Sequence, residues 1–353
     1  MLDHKNTHHI IGIARDDRFF EHKTGYSHPE GPARLTAINR MLDTVFPDTL
    51  LQVTPEPSAM EHIERVHTPG YIKKLLKSAE QKRTSLAPDT PVSNRSVMAA
   101  WLAAGACITG VNALKSGKCG AFFALVRPPG HHALPDRAGG FCMLNNLAIA
   151  ARFARDGYGI ERILIVDWDV HHGNGLNDVF YCENGVFYFS THDIMLYPYS
   201  GEPSDIGSDE GEGFTLNMPV DRSFTGDDIY YLYHQTLPPL VQNFQPEMIF
   251  VAAGFDAHKD DPLGRFAWTE TTYYRLTRLL DELAHNNQTP IPLLFALEGG
   301  YDPGALSRSV EQVLLALLAK DKKDGPISDT QSNEAGRLLE SIFSIHQPYG
   351  LLS

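Results

Sequence analysis

Six short runs of this chain are apolar at nearly every position: His9–Ala14, Ala121–Val126, Arg162–Asp167, Gly185–Ser190, Glu247–Ala253 and Pro292–Leu297. A strand with one wet face alternates apolar and polar residues, whereas a strand covered on both faces has no such need. Continuous runs rich in β-branched and aromatic residues therefore predict strands buried on both faces of a parallel sheet. Between them, Ser96–Lys115 reads as an Ala-rich helix with Trp101, Leu102 and Val111 available for packing. Asn145–Arg155 and Tyr273–Leu283 are further helix candidates. Strands alternating with helices predict an α/β fold, a three-layer α/β/α arrangement around a largely parallel central sheet.

The chain shows no internal repeat and no low-complexity linker. Asp193–Gly213 is long, Gly-rich and acidic, which suits a functional loop better than a domain boundary. After Ala319 the sequence turns polar, then regains apolar residues at Leu338, Leu339, Ile342 and Phe343, which predict a final helix docked on the body. One domain over residues 1–353 is expected, with a motif-bearing core over about 9–319 and a helical tail over 320–353.

Composition narrows the class. With 42% hydrophobic and 21% charged residues, the chain has material for a sizeable core, and disorder and collagen-like repeats are excluded. No stretch reaches the ~18 uninterrupted apolar residues of a membrane span. Met1–Asn6 lacks the basic start and apolar run of a secretory signal, so a cytoplasmic protein is expected. Forty-three acidic against thirty basic residues give a formal charge of −13. That field repels a phosphate backbone, arguing against direct nucleic-acid binding, and attracts cations such as a lysine side chain or a polyamine. Cys107, Cys119, Cys142 and Cys182 make neither a disulfide framework nor a CxxC zinc pattern, so reduced thiols are expected.

The chemistry-bearing stretches all follow predicted strands. Ala121–Val126 leads into Arg127–His132 (RPPGHH), and the strand ending at Asp167 into Asp167–Gly175 (DWDVHHGNG). Glu247–Ala253 leads into Gly254–His258 and Pro292–Leu297 into Glu298–Tyr301. In open α/β sheets, ligand sites lie beyond the carboxyl ends of the strands, so these four loops bring His, Asp and Tyr to one edge. Asp169 and His171 are two positions apart and point to one side of an extended segment, with Asp167 on that side nearer the strand. One His and one or two Asp, joined by Asp256 from another strand end, make a three-ligand site with an open position. That is the catalytic arrangement for zinc, in which the pKa of a water falls to about 7. The competing reading makes these acids helix caps and these histidines solvated side chains. His131 and His132 offer a proton-transfer group beside the metal, with Asp167 and Asn174 the natural partners for their other ring nitrogens. Tyr301, on a Gly-Gly turn, supplies a phenol that polarises a carbonyl without carrying charge.

These motifs, together with His28–Arg34 (HPEGPAR), Gly139–Asn146 (GGFCMLNN), Gly254–Gly264 (GFDAHKDDPLG) and Leu297–Tyr301 (LEGGY), resemble those of the histone deacetylase family, in the arginase–deacetylase superfamily. DWDVHHGNG and LEGGY are similar to the class II branch and its bacterial amidohydrolase relatives; class I enzymes usually place Asp where this chain has Asn174. The resemblance implies the arginase–deacetylase fold and zinc held by Asp169, His171 and Asp256. It implies His132 as general base and later acid, His131 as an electrostatic partner tied to Asp167, and Tyr301 on the scissile carbonyl. Phe141 and Tyr197 would line an acyl-lysine tunnel, with Leu263 at its rim and Gly140 and Gly299 in its wall. A structural potassium would use the Asp167 side chain, Ser190 and backbone oxygens of Asp169, His171 and Thr191. A second would draw on backbone oxygens of Phe180, Glu183, Val186 and Phe214. Arg34 would be an internal structural arginine. The implied reaction is hydrolysis of an N-acyl-lysine amide by activated water, with no acylated residue.

Some positions depart from that pattern. Tyr197 stands where many relatives have Phe, so its hydroxyl either bonds a polar acyl group or faces solvent. His258 either contacts the metal loop or decorates the surface, and Cys142 reads as inert core. The first rival is an acetylpolyamine amidohydrolase, whose relatives tend to carry an acidic gatekeeper at the tunnel mouth. Leu263 is apolar there, although Asp89, Asp260, Asp261 and Glu212 offer mouth charge. A ureohydrolase would need more carboxylates for two manganese ions, and His132, Asn174 and Tyr301 fit it badly. A non-catalytic reader of acyl-lysine or polyamine is the remaining alternative, and a homo-oligomer is left open.

Overall fold

The six apolar runs form strands in the computed structural model, which describes residues 10–81, 83–286, 289–319 and 331–352. In chain order the strands are β1 Ile11–Ala14, β2 Leu51–Gln52, β3 Arg83–Ala87, β4 Thr90–Ser93, β5 Ala121–Ala124, β6 Ile163–Asp167, β7 Val186–His192, β8 Thr215–Pro219, β9 Met248–Ala253 and β10 Leu293–Leu297. Eight of them build one sheet in the order β2-β1-β5-β10-β9-β6-β7-β8, and every pairing in it is parallel. β3 and β4 form a separate antiparallel hairpin. All residues of β1, β5, β6, β7, β9 and β10 are buried, the reason their sequences run apolar without alternation. His9, the predicted start of β1, lies outside the described residues, as does the polar stretch 320–330.

The helices are α1 Ala33–Val45, α2 Met60–Ile63, α3 Pro69–Ser78, α4 Ser96–Lys115, α5 Asn146–Tyr158, α6 Asn174–Phe180, α7 Gly226–Phe244, α8 Glu270–His285, α9 Pro303–Leu318 and α10 Asn333–His346. α1, α9, α8 and α7 pack side by side over one face of the sheet. α4 and α5 cover the other, with α2 and α6 against α5 and α3 against α4. α4 has the predicted boundaries and is long and apolar enough to cross a bilayer, yet 78% of its apolar window is buried inside the molecule. It lies against β1, β5 and β10. The predicted tail helix is α10, with Ala335 and Ile342 buried and Leu338, Leu339 and Phe343 packed on the core. It rests on α7 and β8. Ser332 donates its N–H to Asp228 Oδ1 at 2.6 Å, and the Tyr349 hydroxyl donates to Glu212 at 2.6 Å.

Helix starts bring rigid elements to the catalytic edge. α9 begins two residues after Tyr301, with Asp302 as N-cap accepting the Ala305 N–H at 2.7 Å and Pro303 at its first position. α5 begins just beyond Phe141, capped by Asn145 on the Ala148 N–H at 3.1 Å. α6 begins at Asn174 itself.

Candidate active site

β5, β10, β9 and β6 are neighbours at the centre of the sheet. Their C-terminal loops therefore meet, which is why residues as distant in sequence as Arg127 and Tyr301 converge. Asp169, His171 and Asp256 bring one ligand atom each to within 4.8 Å of one another, all buried. His171 Nδ1 lies 3.1 Å from Asp169 Oδ1 and 3.0 Å from Asp256 Oδ2. The loops brace each other: Val170 N–H donates to Asp256 Oδ1 at 3.0 Å, and Gly299 N–H to Asp169 Oδ2 at 2.8 Å. A Cβ on Gly299 would stand 2.1 Å from Asp256 Oδ2 and 2.5 Å from Asp169 Oδ2, so only glycine leaves that space beside the carboxylates. Burial, then the Asp169 charge, push the Asp256 carboxyl up to about 7. Two buried carboxylates and one imidazole fit a divalent cation, whose charge would offset that cost.

Asp167 is not a member of this group. Its Oδ2 accepts from His131 Nδ1 at 3.1 Å and from the Tyr188 hydroxyl at 3.0 Å, and its Oδ1 from the Asp169 N–H at 3.2 Å. His132 Nδ1 donates to Asn174 Oδ1 at 2.9 Å, which leaves the Nε2 lone pair of the neutral ring free. The two histidine rings touch at 4.0 Å between centroids, and His132 lies 5.9 Å from His171. Burial would lower His131, but Asp167, Asp169 and Glu298 outweigh it and push that imidazole up to about 10. Burial and the charges of His131 and His171 hold His132 well below the usual histidine range.

Tyr301 sits between Phe141, 5.6 Å away edge to face, and the Arg34 guanidinium, 5.2 Å from its ring. Burial and the Asp256 and Asp169 charges keep its phenol protonated well beyond neutral pH. Its backbone N–H donates to Asp261 Oδ2 at 2.6 Å. Gly140 and Phe141 both have left-handed backbone, φ 54° and 67°. A side chain on Gly140 would stand 2.2 Å from the His132 ring, and Phe141 bears the strain of the turn. Tyr197 lies edge to face on His132 at 4.9 Å, and His28 on Phe141 at 4.7 Å. Leu263 is half-buried on a turn whose N–H groups Asp261 holds.

The acidic residues offered for the tunnel mouth separate cleanly. Asp89, on the β3–β4 turn, accepts the Gly140 N–H at 3.0 Å, next to the Phe141 that the resemblance places in the tunnel wall. Asp261 is a buried backbone anchor, Asp260 pairs with Lys259 at 2.9 Å and Arg308 at 3.2 Å, and Glu212 takes the Tyr349 hydroxyl. His258 is fully buried, Nδ1 accepting the Asp260 N–H at 3.1 Å and Nε2 3.4 Å from Glu270, which overturns the surface reading. Cys142 is buried, and burial raises its thiol, in keeping with inert core. Of the residues that family resemblance assigns to potassium, Asp167 and Ser190 are register partners on β6 and β7. Thr191 follows, its hydroxyl bonded to Tyr233 at 2.9 Å. Phe180, Glu183 and Val186 cluster where α6 leads into β7, and the Phe214 carbonyl accepts the Tyr188 N–H at 2.9 Å. Arg34 is buried, its Nε donating to Gly300 O at 2.6 Å and Nη1 to Glu30 at 3.2 Å. Sequence reading gave Glu298 no role, although a carboxylate in a Gly-rich turn after a buried strand was its visible signal.

The histone deacetylase domain profile matches residues 28–317. The chain is 36% identical over 312 residues to histone deacetylase 15 of Arabidopsis thaliana, covering 86% of this chain and 55% of that protein. It is 36% identical over 313 residues to the chloroplastic histone deacetylase 14 of the same plant, covering 84% and 74%. With the histone deacetylase-like amidohydrolase of Pseudomonas aeruginosa it shares 35% identity over 277 residues, 78% of this chain and 72% of that one. The crystal structure of the HDA15 HD domain superposes with a TM-score of 0.88 at 33% identity, covering 96% of this chain and 95% of that chain. The strand-end loops that gather the buried Asp, His and Tyr residues thus lie within a profile match that spans most of the chain, and the protein belongs to the histone deacetylase family of hydrolases.

Proposed function

We propose that the chain is a zinc-dependent amidohydrolase that removes acyl groups from N-acyl-lysine side chains. The observation that carries this reading is the buried Asp169–His171–Asp256 group beside a neutral His132 whose Nδ1 is tied to Asn174. Zinc held by those three side chains would supply Lewis acidity, polarising the amide carbonyl and acidifying water. His132 takes the water's proton on Nε2 and returns it to the departing amine, while cationic His131 steadies the negative charge that builds. The Tyr301 phenol donates to the carbonyl oxygen in the transition state. Phe141 and Tyr197 flank the lysine stem, and Leu263 accepts its methylenes at the rim. Potassium at Asp167, Ser190 and the adjoining carbonyls of Asp169, His171 and Thr191, and at the Phe180, Glu183, Val186 and Phe214 carbonyls, would be structural.

A second reading, acetylpolyamine hydrolysis, is favoured by Asp89, whose carboxylate beside Gly140 offers a counter-charge to a free amine. Kinetics of the zinc-loaded protein on an acetyl-lysine peptide and on N-acetylated polyamines test both. Higher kcat/KM on the peptide is expected. Preference for the polyamine would replace the first reading with the second, and binding without turnover would make the protein a reader.

A further inference from the structure

Beyond its charge on His131, Glu298 has no part in the mechanism. Glu298 is fully buried on the turn from β10 to Tyr301, and its Oε2 accepts the N–H groups of Gly130 at 2.7 Å and His131 at 3.1 Å. Its Oε1 has no hydrogen-bond partner among the described residues. A half-satisfied buried carboxylate costs stability that an apolar residue of similar size would not. Burial accordingly pushes Glu298 up to about 7.

The neighbours of Glu298 show what that cost secures. Gly299 N–H reaches the Asp169 carboxylate, Gly300 O receives Arg34, and Tyr301 N–H reaches Asp261. The turn is thereby fixed to the metal loop, to α1 and to the Asp261 turn, and Glu298 ties it to the histidines. From the opposite side, His131 O accepts the N–H groups of Gly175 at 2.9 Å and Leu176 at 3.1 Å, at the start of α6. The histidine loop is clamped between α6 and β10, and Glu298 is the β10 jaw.

We propose that Glu298 is a positioning residue that ties the histidine loop to the turn bearing Tyr301, setting His132 relative to both the phenol and the Asp169–His171–Asp256 group. The inference rests on the amidohydrolase reading above. The test compares Glu298→Gln, which keeps an acceptor oxygen, with Glu298→Leu, which removes it, in the full zinc-loaded chain. Kinetics on an acetyl-lysine peptide, elemental analysis and amide hydrogen exchange over residues 127–134 are the readouts. Glu298→Leu should keep stoichiometric zinc, lose about 10- to 100-fold in kcat with little change in KM, and exchange faster at Gly130 and His131. Glu298→Gln should retain most of kcat and the protection. Wild-type kcat or unchanged exchange in Glu298→Leu would overturn the proposal. So would a Glu298→Gln as inactive as Glu298→Leu with protection intact, because charge would then matter and the clamp would not. If Glu298→Leu fails to fold, Glu298→Asp withdraws the carboxylate by one methylene, and wild-type kcat and exchange there would be equally fatal. If the wild type turns over no acyl amine, the functional reading fails while the exchange data still decide the clamp.

Discussion

Adjacent in the chain and touching ring to ring, His131 and His132 are held in opposite protonation states by what each faces. Three carboxylates surround the first, whereas burial and two imidazoles outweigh Asp169 and the Asn174 amide at the second. Neither belongs to the ligand group, so metal content and turnover separate by mutation. Asp169→Ala or His171→Ala should abolish stoichiometric zinc, since an open site with three ligands rarely survives on two. Elemental analysis decides it. Tyr301→Phe should bind zinc normally yet lose about 2–4 kcal/mol of transition-state stabilisation, seen mainly in kcat. Leu263→Glu gives a free amine a counter-charge, and should shift relative kcat/KM toward acetylated polyamines by about 1–3 kcal/mol if the pair is shielded. An unchanged preference would remove Leu263 from the rim. The spacing of Asp169 and His171 and the strand-end position of Asp256 pointed to these three, and the fold brings their ligand atoms within 4.8 Å of one another. Spacing did not resolve which way Asp167 turns, because a chain leaving a strand no longer alternates strictly; only the Tyr188 hydroxyl and His131 ring fix it.

Among the elements, those with one dominant signal were legible and those with mixed signals were not. The doubly buried strands and α4 read directly from their apolar runs. Edge strands β2 and β8 did not, since the first has two residues and the second mixes Thr215 and Asn217 with Leu216 and Met218. α7 carries Pro238 and Pro239 inside it, which a sequence reading takes as a break. α10 illustrates how one side chain burdens an element. His346 at its end is fully buried, both ring nitrogens lack a hydrogen-bond partner among the described residues, and burial lowers it to about 4 from an ordinary 6.5. The unfolded chain therefore takes up the proton first as pH falls. Stability that His346 does not disturb above pH 6.5 should be lost between 6.5 and about 4, by at most about 3 kcal/mol. Urea unfolding across that window should show a shallower loss in His346→Leu than in the wild type. Parallel slopes would mean that His346 meets water in the native state.

For the molecule as a whole, the charge of −13 acts before any contact forms. Fields of this sign draw cations toward the surface and fade once salt shortens the screening length to about 8 Å or less. Acetyl-lysine peptides with basic flanks should therefore lose kcat/KM as salt rises, while peptides with neutral flanks hold theirs. Equal salt dependence would assign the charge to solubility alone. The division of labour across the sheet has a different consequence. The groups assigned to bond breaking stand on the ends of four central strands, whereas Asp89 hangs from a hairpin outside the sheet, Tyr197 from the β7–β8 loop and Leu263 from the turn beyond Asp256. Under the proposed function, Asp89 and Tyr197 are inherited on segments apart from the bond-breaking groups, whereas Leu263 shares the β9–α8 connection with Asp256 and Phe141 the β5–α5 connection with the two histidines. Under that reading, a lineage or a laboratory library confined to the β3–β4 hairpin and the β7–β8 loop should trade one acylated amine for another while the hydrolytic groups are passed on intact.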